Sequence, residues 1–423
     1  MEKTAVDLTE RISETGVSCR FCGLPLSHSF ADLGTTPLCE SYLEADALNR
    51  MEPFYPLHAF VCEGCLLVQL DDYVGPEHIF TEYAYFSSYA DSWLAHARKY
   101  VTAMQSERGI DTDSFVIELA SNDGYLLQYF VEDEIPCLGI EPAANVAEVA
   151  VDKGVPTRVE FFNEDTAQVL AREGMKADLV LGNNVLAQVP NLNSFVRGMK
   201  IILKDDGFIT MEFPHLMRLM DENQFDTIYH EHFGYFSLLA TKNIFAAHGL
   251  RLFDVEELST HGGSVRIYAC HNEDSRPETR RLSELIELEL NRGFDRMETY
   301  AGFAEQVRET KRKLLSFLIA ARREGKSIVG YGAPGKGNTL LNYCGIGRDF
   351  IDYTVDRNPY KQGMYLPGSR IPIYDPDRIR ETRPDYVLIL PWNFKDEIMD
   401  QMQDIRSWGG KFVVPIPETR VFE

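Results

Sequence analysis

Long apolar runs and positive charge are both scarce in this sequence. Nowhere do about 18 apolar residues follow one another, as a membrane-spanning helix requires, so no membrane segment is expected. The opening MEKTAVDLTE is acidic and lacks the apolar stretch of a signal peptide, so we expect a cytoplasmic protein. Lysine and arginine number 42 against 65 aspartates and glutamates, and the net charge of -23 repels phosphate backbones and anionic lipids. We expect neither a nucleic-acid nor a membrane partner; the oligomeric state stays open, and a monomer is compatible with the sequence.

The length and the hydrophobic pattern predict several domains of α/β type. A chain of 423 residues exceeds one ordinary core, because domains usually contain roughly 100 to 200 residues. From about residue 115, apolar runs such as SFVIELA, IPCLGIE and KADLVLGNNVL alternate with amphipathic segments, as in a doubly wound, mostly parallel sheet. Charged helical segments follow at about 276–324, and a second α/β unit begins at KSIVGYGAPGKGNTLLNY. We predict domains at 1–75, 76–275 and 276–423.

Half of the cysteines occur in closely spaced pairs. Of 8 cysteines, four form two C-x-x-C turns, Cys19 with Cys22 and Cys62 with Cys65. Two such turns supply the four thiolate ligands of a structural zinc site, which leaves no position for substrate. A disulfide or redox pair is the less favoured alternative, because no thioredoxin-like context surrounds either turn. The 39 residues between Cys22 and Cys62 predict a long insertion. The isolated cysteines are interpreted as buried apolar side chains: Cys39, Cys137, Cys270 and Cys344.

The first strand-to-helix turn, ELASNDGYLL, lacks the glycines of a dinucleotide site. It contains only Gly124, and the neighbouring Asp123 would repel a pyrophosphate. S-adenosylmethionine carries an adenosine and a sulfonium cation without a phosphate, so it tolerates an acidic turn. Glu141 ends the next predicted strand, where a carboxylate can accept ribose hydroxyls; a solvated turn residue is the alternative. Phe161 or Phe162 could cover the adenine, although core packing is an equal alternative. The candidate donor-binding residues are Glu118, Ser121, Asn122, Gly124, Glu141, Asn183 and Asn184.

A second glycine-rich turn lacks the hydroxyl side chain of a P-loop. The stretch GYGAPGKG matches G-x-x-x-x-G-K, but Gly337 stands where serine or threonine would bind magnesium, so ATP hydrolysis is not expected. The glycines and Lys336 at a helix start still suit a diphosphate contact. We favour substrate binding by Gly335, Lys336 and Asn338 over a turn that merely connects strand to helix.

The stretch TIYHEHFGYF, residues 227–236, places one histidine on each side of a glutamate. H-E-H is not H-E-x-x-H, and on a helix the two histidines would not share a face, so a metal site is disfavoured. Two interpretations remain open, namely buried structural histidines and general-base chemistry. The second is favoured because histidine titrates near neutral pH and an adjacent carboxylate stabilises its protonated form.

Taken together, these motifs resemble one enzyme family nearly end to end. The C-x-x-C pairs, ELASNDGYLL, GIEPA, NNVLAQVPNL, YHEHFGYFS, HGGSVRIYA and GYGAPGKGNTLL resemble the sugar C-methyltransferases that act on nucleotide-linked 4-keto-deoxysugars. The resemblance implies a zinc-binding amino-terminal domain, a central S-adenosylmethionine domain and a carboxy-terminal Rossmann-like domain that helps to hold the nucleotide sugar. It also favours a dTDP sugar and methylation at carbon 3.

The resemblance implies roles for residues of the H-E-H stretch. His232 would be the base that removes the proton next to the ketone, and Glu231 would orient it. Tyr229 and Tyr83, with Tyr85 as the rival of Tyr83, would hydrogen-bond the sugar and its developing enolate oxygen.

Gln188 departs from the family pattern, because many relatives have histidine there. Glutamine can donate and accept hydrogen bonds but cannot relay a proton, so a second acid or base at this position is in doubt. The implied substrate-binding set is Gln188, His261, Arg266, Gly335, Lys336 and Asn338. Two other functions stay open: an N- or O-methyltransferase acting on a nucleotide sugar, and a non-catalytic nucleotide-sugar-binding protein.

Overall fold

The computed structural model describes residues 16–75, 86–89 and 91–423. These residues divide into two compact units. The first unit contains the residues up to 27, 61–216 and 231–297, and the second contains 28–60, 217–230 and 298–423. The insertion between the two cysteine pairs therefore clusters with the carboxy-terminal residues, and the three predicted domain boundaries stay a prediction. No helix in the described ranges is long and apolar enough to cross a membrane.

The elements alternate between strand and helix along most of the chain. The strands are β1 His28–Thr36, β2 Tyr55–Val61, β3 Val68–Leu70, β4 Val116–Leu119, β5 Cys137–Ile140, β6 Thr157–Arg158, β7 Ala177–Asn183, β8 Leu203–Pro214, β9 Gly234–Tyr235, β10 Leu250–Leu258, β11 Ser264–His271, β12 Ile328–Tyr331, β13 Thr354–Val355, β14 Ile373–Tyr374, β15 Tyr386–Ile389, β16 Lys411–Val414 and β17 Arg420–Phe422. The helices are α1 Asp91–Arg108, α2 Leu127–Glu132, α3 Ala144–Asp152, α4 Glu164–Arg172, α5 Leu192–Ile202, α6 Leu216–Asp221, α7 Leu238–Ala247, α8 Arg280–Asn291, α9 Met297–Ala301, α10 Phe303–Arg323, α11 Gly335–Cys344, α12 Asp377–Thr382 and α13 Lys395–Gln401.

The first unit is built on a seven-stranded sheet in the order β10-β11-β8-β7-β4-β5-β6. The strands from β6 to β8 run parallel, and β11 and β10 are added antiparallel at one edge. β4 is buried along its whole length, as expected for an apolar run covered by helices on both faces. The α/β prediction is therefore confirmed, and the parallel strands present their carboxyl ends at one edge, where ligands bind in such sheets.

Several helices of the first unit begin where a polar side chain caps the first turn. At the start of α4, the side chain of Asn163 accepts the backbone N–H of the residue three positions later in the chain. The side chains of Asn191, Ser237 and Thr279 do the same for α5, α7 and α8. Such caps satisfy a backbone donor that the helix itself cannot pair. They fix the helix starts, and Ser237 does so immediately after the H-E-H stretch.

The second unit contains a six-stranded sheet in the order β14-β13-β12-β15-β16-β17. Its strands are parallel except for β17, which pairs antiparallel with β16. β1 and β2, from the insertion, are neighbours in the same unit. The glycine-rich turn lies between β12 and α11, so the predicted second α/β unit is present.

Candidate active site and zinc centre

The four paired cysteines meet at one point of the first unit. Their sulfur atoms all lie within 4.8 Å of one another, with 3.5 Å between Cys19 and Cys65 and 3.4 Å between Cys22 and Cys62. A tetrahedral site with Zn–S bonds of about 2.3 Å places its sulfurs about 3.8 Å apart, so the cluster fits zinc. Within the described residues it is the one group of histidine, cysteine or acidic side chains close enough to hold a metal ion.

The two C-x-x-C turns have the same backbone form. The residue after the second cysteine donates its N–H to the carbonyl of the first, Gly23 to Cys19 at 2.9 Å and Leu66 to Cys62 at 2.8 Å. That residue has a left-handed φ in both turns, 77° at Gly23 and 60° at Leu66. Gln69 Nε2 also donates to Cys19 Sγ at 3.2 Å. The matched turns and the outer donor suit a closed structural zinc site.

The predicted donor-binding residues gather at the carboxyl ends of the parallel strands in the first unit. Glu141 follows β5, and its carboxylate accepts the N–H groups of Asn122 and Ala143, each at 2.9 Å. Burial raises the pKa of Glu141 to about 7. A carboxylate has about four lone-pair positions, so two remain for the hydroxyls of a ribose.

Four buried polar atoms at this edge have no hydrogen-bond partner among residues the structure describes: Glu118 Oε2, Ser121 Oγ, Asp123 Oδ1 and Asn184 Oδ1. Buried polar atoms are normally paired, so their grouping at the carboxyl-end half of β4 and in the turns that follow β4 and β7 marks a place for a polar ligand. Burial also raises the pKa of Glu118 well above its usual range. The residues present therefore fit S-adenosylmethionine, the donor that the sequence predicts.

Two of the predicted donor residues have evident packing roles. A Cβ added at Gly124 would lie 3.1 Å from the Cβ of Ala150, so no larger residue fits there without a shift. Phe162 packs edge-on against Phe195, with ring centroids 5.4 Å apart, which agrees with the core alternative. Phe161 is 38% exposed and stays the candidate for covering the adenine.

Left-handed residues other than glycine cluster at the same edge. Ala120 and Asn122 follow β4 with φ of 55° and 50°, Asn184 follows β7 with 57°, and His261 precedes β11 with 54°. Asn184 Nδ2 lies 2.8 Å from His261 Nε2, so two of these residues are hydrogen-bonded to each other. Each such conformation costs about 1 to 3 kcal/mol and persists mainly at functional sites. The cluster supports a site here independently of the motifs.

Two aromatic residues at this edge were not predicted as site residues. Asn183 Nδ2 donates to Tyr125 OH at 3.2 Å. Trp93 stacks on Tyr125, with centroids 5.8 Å apart, and meets His261 edge-on at 5.3 Å. The available signal for Tyr125 was its place beside Gly124 in ELASNDGYLL, whereas Trp93 lies on α1 outside any motif.

Arg266, a predicted substrate residue, lies in a buried network of charges. It donates to Glu212 at 2.6 Å and to Glu256 at 3.0 Å, while His96 and Thr260 also contact Glu212, each at 2.9 Å. Burial alone would raise the pKa of Glu212, but the His96 hydrogen bond and the Arg266 charge lower it to about 2. Glu212 and His96 were not predicted, and the substrate role of Arg266 stays a prediction.

Residues 231–237, which carry the predicted base, are held by backbone bonds within the first unit. β9 pairs antiparallel with β3. Phe233 donates its N–H to Ala187 O at 2.7 Å, and Leu216 donates to Phe236 O at 2.9 Å. Because Ala187 lies in the turn after β7, these bonds hold the segment beside the carboxyl edge of the sheet, where the predicted donor-binding residues lie. We call this edge the donor edge.

The Phe233 to Ala187 bond brings together two predicted site residues. His232 directly precedes Phe233, and Gln188 directly follows Ala187. His232 is 8% exposed and its ring meets Tyr235 edge-on at 6.2 Å, while Glu231 is 7% exposed. A histidine and a glutamate are therefore nearly enclosed next to the turn that also carries Asn184.

A buried carboxylate anchors the end of this segment. Glu289 of α8 is fully buried and accepts the N–H groups of Leu238 and Leu239, at 2.7 and 2.8 Å, where α7 begins. Its Oε1 also lies 2.6 Å from Nε2 of the buried His215. These bonds join α7, the helix that follows the H-E-H stretch, to α8.

Tyr229 and His230 belong to the second unit. His230 Nε2 donates to the carbonyl oxygen of Pro56 at 3.0 Å, and its ring meets Tyr55 edge-on. Burial lowers the pKa of His230, so this histidine fits the structural interpretation. Tyr229 is half-buried and its role stays a prediction. Tyr83 and its rival Tyr85 lie outside the described residues.

The glycine-rich turn of the second unit is covered by residues of the insertion. A Cβ added at Gly335 would lie 2.9 Å from Cys39 Sγ and 3.0 Å from Glu40 Oε1. Asn338 Nδ2 donates to the carbonyl oxygen of Cys39 at 2.6 Å. Cys39 and Glu40 therefore occupy the face of the turn at Gly335.

Lys336 extends from the turn toward a buried acid and an indole. Its Nζ donates to Asn393 Oδ1 at 3.0 Å and lies 4.8 Å from the ring centre of Trp392. Trp392 Nε1 donates to Asp226 Oδ2 at 2.7 Å, and burial raises the pKa of Asp226 to about 7. None of Asp226, Trp392 and Asn393 was predicted; the available signal was the W-N pair after the apolar run DYVLIL.

Comparisons with known proteins cover nearly the whole chain. Three family models match: "Putative zinc binding domain" at 19–80, "Methyltransferase domain" at 93–255 and "C-methyltransferase C-terminal domain" at 259–417. The C-methyltransferase NovU of Streptomyces niveus is 37% identical over 406 residues, which is 95% of this chain and 96% of that protein. The chain belongs to the C-methyltransferase family. This C-methyltransferase combines the class I S-adenosylmethionine-dependent fold with a zinc-binding cysteine cluster and a carboxy-terminal α/β domain.

Two solved structures each match less than half of this C-methyltransferase. Protein PH0226 of Pyrococcus horikoshii OT3 is 12% identical with a TM-score of 0.37, covering 46% of this chain and 97% of its own. Magnesium protoporphyrin IX methyltransferase of Synechocystis PCC 6803, solved with bound SAM, is 12% identical with a TM-score of 0.33, covering 42% and 79%.

Proposed function

We propose that this C-methyltransferase methylates the carbon next to the ketone of a nucleotide-linked 4-keto-deoxysugar. The resemblance of its motifs favours a dTDP sugar and carbon 3. The observation that carries the proposal is the hydrogen bond from Phe233 to Ala187, at 2.7 Å, which sets the segment of His232 beside the donor edge. A base placed there can take a proton from a substrate carbon that faces the methyl donor.

The proposed chemistry begins with a proton transfer. A hydrogen on the carbon next to a ketone is acidic, because its removal leaves an enolate whose charge rests largely on oxygen. Neutral His232 takes this proton, and Glu231 favours the imidazolium that results. The enolate carbon then forms a bond to a methyl group. S-adenosylmethionine, when bound, would supply that methyl as an electrophile, because its sulfur–methyl bond breaks with the electron pair going to sulfur to give S-adenosylhomocysteine.

The remaining site residues would hold the two reactants. Glu141 would bind the donor ribose, with the polar atoms of Ser121 and Asn184 completing the donor pocket. Tyr229 and Tyr83 would donate to the developing enolate oxygen, where a hydrogen bond gains most as charge accumulates. Gln188 would position the sugar through hydrogen bonds without carrying a proton.

The experiment is incubation with methyl-labelled S-adenosylmethionine and a panel of nucleotide sugars, with and without the 4-keto group. We expect label only in the ketosugars, on a ring carbon next to the ketone, as located by NMR. Label on nitrogen or oxygen would instead assign an N- or O-methyltransferase. No label with any ketosugar, despite binding, would favour the non-catalytic binding protein.

A further inference from the structure

Asp356 in the second unit holds the place that Glu141 holds in the first. Glu141 is the first residue after β5, in a sheet with the local order β7-β4-β5-β6. Asp356 is the first residue after β13, in a sheet with the local order β15-β12-β13-β14. In each sheet, the strand that precedes the acid's strand in the chain, β4 or β12, ends in a turn that leads to a helix, α2 or α11. The two acids therefore stand at equivalent carboxyl ends of equivalent strands.

The hydrogen bonds of the two carboxylates correspond one to one. The carboxylate of Asp356 accepts the N–H of Ala333, in the turn after β12, at 2.7 Å, and that of Asn358, two residues further on, at 2.8 Å. Glu141 likewise accepts one N–H from the turn after β4 and one from the residue two positions further on.

The backbone around the two acids also corresponds. Glu141 donates its main-chain N–H to Arg158 O on β6, and Asp356 donates its own to Tyr374 O on β14, each at 3.0 Å. In both units the backbone of the acid is thus bonded to the neighbouring strand, β6 or β14, and its carboxylate is oriented by the turn after β4 or β12. This is the arrangement that places a carboxylate against ribose hydroxyls in nucleotide-binding α/β folds.

Asp356 is half-buried, so part of the residue reaches the surface of the second unit. Two of about four lone-pair positions are used by Ala333 and Asn358, which leaves acceptors for two hydroxyl groups. The face of the glycine-rich turn at Gly335 is covered by Cys39 and Glu40, and the Tyr42 hydroxyl and Lys361 Nζ donate to Ala333 O at 2.6 and 2.9 Å. The second unit therefore offers a pentose position rather than an open cradle for phosphate.

Asp385 shows what an acid with a purely structural role looks like in the same sheet. It stands before β15, at the amino edge, accepts the N–H of Ser327 at 2.9 Å and pairs with Lys326 at 3.0 Å. Ligands of parallel sheets bind at the opposite, carboxyl edge. Asp385 therefore matches Asp356 in its bond to a backbone N–H but not in its place in the sheet.

We propose that Asp356 accepts the pentose hydroxyl groups of the nucleotide part of the substrate. The inference rests on the proposed function, because it takes the substrate to be nucleotide-linked. A deoxyribose offers only its 3′-hydroxyl, whereas a ribose offers the 2′- and 3′-hydroxyls together. Asp356 can thus accept the 3′-hydroxyl of either sugar, and the 2′-hydroxyl as well when the sugar is a ribose.

The test measures binding of dTDP and of its 3′-deoxy analogue by calorimetry, using the full chain loaded with zinc and S-adenosylhomocysteine. Loss of the 3′-hydroxyl should weaken binding to the unaltered protein about tenfold, as expected for a hydrogen bond to a charged group. For Asp356→Asn the two ligands should bind within about twofold of each other. UDP and its 2′-deoxy analogue form a second pair, in which a selective loss shows that the ribose diol is read.

Asp385→Asn is the matched control and should keep the tenfold difference between dTDP and its analogue. A thermal melt of each variant checks that the fold is intact. An equal cost of the missing hydroxyl in the unaltered protein and in Asp356→Asn would overturn the inference, as would absence of dTDP and UDP binding. The labelled-methyl assay decides the proposed function separately, because it can succeed when Asp356 proves irrelevant, and fail when Asp356 binds nucleotide.

Discussion

Among single residues, Glu141 is the one whose ionisation should control binding of the methyl donor. Burial raises its pKa to about 7, above the usual range of a glutamate. The protonated form therefore dominates below neutral pH in the free protein, although ribose hydroxyls are best accepted by the ionised form. Donor binding should favour ionisation and lower this pKa.

We expect the affinity for S-adenosylhomocysteine to rise about tenfold between pH 6 and pH 8, as Glu141 passes from mostly protonated to mostly ionised. Glu141→Gln should remove this rise and bind about tenfold more weakly than the unaltered protein at pH 8. Calorimetry at the two pH values measures both effects. A Glu141→Gln protein with the full rise would assign it to another group.

Glu231 and His232 should act as one unit in catalysis. Glu231→Gln removes the charge that favours the imidazolium, so we expect kcat to fall while KM changes little. The double variant Glu231→Gln with His232→Gln should lose little more than His232→Gln alone, because residues that act together are not additive. Gln188→Ala is the milder comparison. If the fall in kcat of the double variant equals the product of the two single falls, the two side chains act independently.

The positions of single residues were predictable where a strand end fixes them, and unpredictable where strands pair at long range. Glu141 follows from the regular alternation of strand and helix, since ligands gather at the carboxyl ends of parallel strands. Arg266 and Glu212 lie directly opposite each other on β11 and β8. No local pattern specifies that antiparallel register, so their ion pair could not be read from the sequence.

At the scale of elements, the two cysteine turns should stabilise the first unit through one zinc ion. We expect one zinc per chain, and Cys62→Ser should lose the metal and melt at a lower temperature, because a structural site contributes folding free energy. Elemental analysis and thermal melting measure the two effects. Cys270→Ser is the matched control, since Cys270 is equally buried in the first unit but lies outside the cluster. Zinc-free Cys62→Ser with unchanged melting would contradict the structural role.

The start of α7 should depend on Glu289. Glu289→Ala removes the acceptor of two backbone N–H groups and of His215, and we expect a loss of about 3 to 5 kcal/mol, because each buried donor left without an acceptor costs about 1 to 3 kcal/mol. Glu284→Ala on the same helix, an exposed residue paired with Arg280, should cost less than about 1 kcal/mol. Urea unfolding compares them. Equal stabilities would mean that Glu289 does not anchor α7.

The type of an element, strand or helix, was predictable where its apolar run was long and continuous. The runs SFVIELA and KADLVLGNNVL form β4 and β7 as predicted, because buried parallel strands need continuous apolar residues. The short β9, within the H-E-H stretch, has 2 residues and no period of its own. It exists because β3 pairs with it, which is a tertiary effect.

For the molecule as a whole, the sequence predicted an α/β protein with a zinc cluster but could not place the insertion. Residues 28–60 lie between the two cysteine pairs in the chain, yet they cluster with residues 298–423. Their contacts with the glycine-rich turn, through Cys39 and Glu40, join residues about 300 positions apart. Such contacts depend on surfaces that exist only after both segments have folded, so no local pattern reports them.

The central claim is that His232 removes the proton next to the ketone, and deuterium exchange of that proton tests it most directly. The unaltered enzyme with S-adenosylhomocysteine and the 4-ketosugar in deuterated water should exchange the proton without methylation. His232→Gln should still bind the sugar, but exchange and kcat should fall about 10²–10⁴-fold, the usual contribution of a general base. Gln188→Ala should exchange at nearly the unaltered rate. A His232→Gln enzyme that exchanges at the wild-type rate while failing to methylate would contradict the claim and place the base elsewhere.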